Sequence, residues 1–64
     1  MKMFGFWNVD KTRHRTVPLR FIRYAEAAKE NEQDVFYVKH IGSDKRVRVS
    51  KETYEDAIAA LESA

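Results

Sequence analysis

Apolar and polar residues alternate in some stretches of the chain and recur at helical spacing in others. Val35 to Ile41 reads as a strand, and so does Lys45 to Ser50, with the turn-forming Gly42-Ser43-Asp44 between them. Folding this hairpin about Ser43 and Asp44 pairs Ile41 with Arg46, His40 with Val47, Lys39 with Arg48 and Val38 with Val49. That register gathers Phe36, Val38, Val47 and Val49 on one apolar face, with His40 near its edge. Tyr37, Lys39, Ile41, Arg46 and Arg48 fall on the other face.

Ser50 is a good N-cap for the segment that follows, and Glu52, Glu55 and Asp56 sit where a helix dipole favours acids. Tyr54, Ala57, Ile58 and Leu61 then follow the i, i+3, i+4, i+7 spacing of a core-facing stripe. Nearer the start, Phe4 to Val9 is aromatic-rich with a β-branched end and reads as a strand. Its two faces, Phe4 and Phe6 against Met3, Gly5, Trp7 and Val9, are both largely apolar. Asp10 to Thr16 is polar and basic, a loop or arm.

Pro18 forces Val17 to be extended and suits the first turn of a helix. From there to Asn31 the residues favour helix, with Phe21, Ile22, Tyr24, Ala25 and Ala28 on one face. A competing reading makes Arg15 to Tyr24 a strand paired with the first one, followed by a short helix. The preferred order, β-α-β-β-α, is an α+β fold with a three-stranded sheet and helices packed on one face.

The 64 residues make one domain, 1–64, without internal repeat or linker. A core this small leaves a net stability of only ~3–5 kcal/mol unless something else contributes. There is no Cys, so no disulfide helps, and a partner or a second copy is the usual remaining source of stability. The absence of Cys also fits a reducing compartment. The short apolar run at the start is too brief for a signal peptide, and no stretch approaches a membrane span. A cytoplasmic protein with no membrane contact is expected.

The formal net charge is only +2, but it is arranged in blocks. Lys11 to Arg23 holds five basic residues and no acid, and Lys39 to Lys51 holds five against Asp44 alone. Acids dominate Glu26 to Asp34 and everything from Glu52 onward. Lys39, Arg46 and Arg48 with Tyr37 form a basic, aromatic-bearing hairpin face suited to phosphates and stacked bases. Its like-charge pair, Lys39 opposite Arg48, is unfavourable in isolation. Basic residues on edge strands also guard against aggregation, so a solvated edge is the competing explanation.

Lys11, Arg13 and Arg15 form a second basic block, an arm able to reach phosphates. Trp7, opposite Phe4 and Phe6 on its strand, is a candidate protein hot spot or base-stacking residue. His14 and His40 have no ligand spacing around them, and no nucleophile, phosphate loop or paired acid and base is present. No metal, no cofactor and no catalysis are expected. Arg46-Val-Arg-Val-Ser-Lys-Glu-Thr-Tyr-Glu resembles the strand and first helix of a ribbon–helix–helix repressor over about a quarter of the chain, with no second helix to follow. The hairpin-then-helix order is also similar to the arm-binding domains of tyrosine integrases. The leading expectation is a small nucleic-acid-binding or regulatory protein for DNA or RNA. The alternative is a protein-interaction module, possibly homodimeric, acting through Trp7 and its edge strands.

Overall fold

The computed structural model describes residues 1–63. The order is β1 (Met3–Trp7), β2 (His14–Pro18), a single 3-10 turn (Leu19–Phe21), β3 (Ile22–Glu30), β4 (Gln33–His40), β5 (Val47–Val49) and α1 (Lys51–Glu62). The fold is α+β, with an antiparallel β1–β2 hairpin, an antiparallel sheet in the order β3-β4-β5, and one helix among the described residues. The expected β-α-β-β-α order is therefore corrected, because the helix expected from Pro18 to Asn31 is absent.

Two effects override the helix propensity of residues 22–30. Asn31 and Glu32 both have positive φ, 51° and 64°, the signature of a two-residue type I′ turn whose twist matches paired strands. Beyond that turn β4 offers a partner along nearly the whole of β3, from Glu30↔Gln33 back to Ile22↔His40, with one bulge between Ile22 and Tyr24. Ala25 and Ala27 then share the core-facing side with Val38 and Phe36, while Tyr24, Glu26, Ala28 and Glu30 face outward. The competing strand, Arg15 to Tyr24, pairs with the first strand only as far as Pro18; a 3-10 turn follows, and from Ile22 the chain pairs with β4 instead. Its following helix is also absent.

The hairpin of β4 and β5 forms, with a register two residues from the expected one. Val38 faces Val47, Phe36 faces Val49, and Tyr37 faces Arg48. Lys39 and Arg48 are thus not opposite each other, and the like-charge pair does not exist. An offset of two residues keeps every side chain on its expected face. The offset arises in a longer connection, where Gly42 takes φ 95° and the Lys39 ammonium donates to the carbonyls of His40 and Ser43. The repressor-like segment does form a strand and then a helix, with the strand paired to β4.

The core holds Phe6, Leu19, Ile22, Val38, Val49 and Ala57, with Phe36, Val47, Tyr54 and Leu61 packed against it. α1 lies over the inner face of β3–β5, and its Tyr54 ring meets Phe36 at 5.0 Å between centroids. Ser50 caps the helix, its hydroxyl accepting from the Thr53 N–H at 3.2 Å. The two sheets meet where Phe6 packs edge-on to His40 and where the Val9 N–H donates to the Arg48 carbonyl at 2.9 Å.

Phe6→Ala should remove about 3–5 kcal/mol. That equals the whole margin of ~3–5 kcal/mol expected for so small a domain. Circular dichroism should show a largely unfolded chain at room temperature. Glu32→Gly should act in the opposite sense. It relieves a left-handed residue costing roughly 1–2 kcal/mol against a glycine entropy penalty of about 0.5–1 kcal/mol. The urea midpoint should rise.

Candidate nucleic-acid interface

The basic residues expected to act together divide into two groups. Arg15 pairs with Phe6 in the β1–β2 register, so its side chain turns toward the core. Its Nη1 donates to His40 Nε2 at 3.3 Å, while His40 Nδ1 lies 2.8 Å from the Ile41 carbonyl. The tautomer with hydrogen on Nδ1 satisfies both contacts. Arg15 Nε is buried with no protein partner. Arg15 is a half-buried junction residue between the sheets. Buried His40 is its acceptor, not merely a packing residue at the sheet edge.

The hairpin face is also less positive than its own two strands imply. With β3 alongside, Glu26 and Glu30 stand on it. Arg46 forms a salt bridge with Glu26 and stacks over the Tyr37 ring, 3.9 Å from its centroid. The Tyr37 hydroxyl donates to Glu30 at 2.6 Å. Lys39 is turned to the loop carbonyls. Arg48 is exposed beside these groups, opposite Tyr37.

The expected arm is an ordered hairpin loop. The Asn8 side-chain oxygen accepts from the N–H groups of Thr12 and Arg13, its amide nitrogen donates to the Thr12 hydroxyl, and its backbone N–H donates to the Arg13 carbonyl. Lys11 sits at the tip with φ 57°, and both Lys11 and Arg13 are exposed.

Trp7 lies beside this loop and is 48% exposed. His14, its cross-strand partner, meets the indole edge-on at 5.1 Å. Gly5 makes room for that imidazole, since a Cβ there would sit 3.1 Å from His14 Cε1. Because Val9 is bonded to β5, the end of β1 runs past the start of α1. Trp7, Asn8 and Lys11 then face Ser50, Lys51, Glu52 and Thr53 across a cleft of about 450 Å³. The structure thus joins Trp7 and Lys11, two residues expected to serve separate roles, and adds Lys51. No sequence signal marks Lys51 for this place, because only the β1–β5 contact puts it there.

Among the described residues no cluster of three or more His, Cys, Asp or Glu could hold a metal, and no described helix is long and apolar enough to cross a membrane. Comparison with protein families, curated proteins and solved structures gives no match.

Donation to Glu30 holds the Tyr37 phenol above its usual pKa of 10.0. The proton is bound more tightly in the folded chain, so this contribution to stability is complete below about pH 10 and fades as pH rises through the raised value. An ultraviolet titration should contain a phenol step above pH 10 that vanishes in Tyr37→Phe and moves down in Glu30→Gln.

Proposed function

We propose that this protein is a non-enzymatic nucleic-acid-binding module that holds a single strand at the Trp7 cleft. The observation carrying the reading is a half-exposed indole flanked by Lys11 on one lip of the cleft and Lys51 on the other. An unstacked base can lie on an aromatic face, while the ammonium groups neutralise the phosphates on either side. Arg13, on the same loop as Lys11, adds a further exposed cation. Duplex DNA fits less well, because its bases are already stacked and offer no free face to Trp7. Tyr37, Arg46 and Lys39 take a supporting part at most, since their polar groups are engaged within the protein.

A protein partner anchored on Trp7 is the second reading, favoured by the carboxylate of Glu52 in the cleft. Salt separates the two. Binding of a single strand that engages three phosphates falls with salt at a logarithmic slope of about −2, and each of Lys11→Ala and Lys51→Ala should reduce that slope by ~0.7. Trp7 is the only tryptophan, so its fluorescence reports the event directly. Titration with oligo-dT and oligo-U should quench it, and Trp7→Phe should weaken binding about tenfold, within the ~1–3 kcal/mol of a stacked base. An unquenched indole, with no affinity better than ~10⁻⁴ M at low salt, would rule out the nucleic-acid reading.

A further inference from the structure

β3 is the end strand of its sheet, and among the described residues nothing pairs with its outer edge. The type I′ turn decides which of its backbone groups point that way. Glu30 and Gln33 flank the turn as a hydrogen-bonded pair, so Glu30, Ala28, Glu26 and Tyr24 spend their N–H and C=O groups on β4. Lys29, Ala27 and Ala25 direct theirs outward, forming a ladder with no partner. Of the devices that blunt such an edge, a lysine is present, Lys29, on the outward ladder itself. No Pro lies within Ile22–Glu30, and the bulge is confined to the start of the strand.

We propose that this edge pairs antiparallel with the same edge of a second copy, about a two-fold axis at Ala27, to make a continuous six-stranded sheet. The choice of occupant rests on self-complementarity. Centred on Ala27, the register sets Ala25 opposite Lys29 of the second copy, Glu26 opposite Ala28, and Tyr24 opposite Glu30, a carboxylate its hydroxyl can meet. No like charges oppose. Centring on Glu26 would set that carboxylate against itself and Arg23 against Lys29. Centring on Ala28 would set Glu26 against Glu30, and centring on Ala25 would run the ladder into the bulge. A two-fold pair must keep each sheet face on its own side, which excludes centres between residues. Ala27, at the centre of this register, is exposed.

Sedimentation equilibrium on the full chain tests this. The expected result is a reversible monomer–dimer equilibrium with a dissociation constant below about 1 mM. Ala27→Lys sets two ammonium groups face to face across the axis and should raise that constant at least tenfold, or about 1.4 kcal/mol. Ala27→Pro should do the same by removing an outward N–H that β4 does not use. Circular dichroism and melting curves report whether each variant keeps its fold. Should both unfold, Ala27→Cys replaces them. Hydrogen-bonded antiparallel partners lie about 5.5 Å apart at Cα, within disulfide reach, so oxidation should link this variant faster than Asp44→Cys. A chain that stays monomeric throughout, a dimer indifferent to changes at Ala27, or no faster cross-linking would each overturn the proposal.

Discussion

The pairing of β3 with β4 across the Asn31-Glu32 turn is the contact on which the rest of the molecule depends. It is the longest ladder in the structure, and it turns a segment with helical leanings into half of a long hairpin. The inner face of that hairpin supplies Ile22, Ala25, Phe36 and Val38 to the core, giving α1 a surface to cover. Cooperative strand pairing prevails here because isolated helical propensity differs by only tenths of a kcal/mol per residue. A complete ladder with one buried face outweighs that sum.

The same pairing sets the electrostatics of the outer face. Had residues 22–30 formed a helix, Glu26 would have stood apart from the hairpin. As a strand, β3 lays Glu26 and Glu30 beside Arg46 and Tyr37, so four polar groups join in a network closed within the protein. Exposed ion pairs of this kind contribute little to stability. Their larger effect is to take positive charge off the sheet centre. The exposed cations outside that network include Lys11 and Lys51, which line the Trp7 cleft, and Arg13 on the same loop as Lys11.

Where the two sheets meet, the chain accepts polar groups in its interior. Arg15 Nη1 donates to His40 there, with Phe6 packed against the imidazole, while Arg15 Nε has no protein partner. Losing either partner would leave a buried donor or acceptor unmet, which costs about 1–3 kcal/mol. The junction also orients β1 so that its end reaches β5 and the start of α1. The Trp7 cleft exists because of that reach.

Much of the final third of the fold was legible in the sequence. Alternation placed Phe36, Val38, Val47 and Val49 inward, and Ser50 with the Tyr54, Ala57, Ile58 and Leu61 stripe marked the helix, all but Ile58 of that stripe joining the core cluster. These are local signals, carried by side-chain period and capping chemistry, and they survived a two-residue change of register because strand faces repeat every two residues. Residues 22–30 were not legible in the same way. Their alanines, glutamates and lysine lean toward helix, and only the partner strand across the turn overrode that leaning. The positions of the charges were equally hidden: Arg15 as a buried donor, Glu26 as the partner of Arg46, and Lys51 beside Trp7 all depend on contacts between residues distant in the chain. By itself the sequence determined the inward residues of β4 and β5, most of the buried side of α1, and where that helix begins. Tertiary structure decided which strands pair, and through that which charges remain open, because long-range pairing is a property of two segments at once and neither carries it alone.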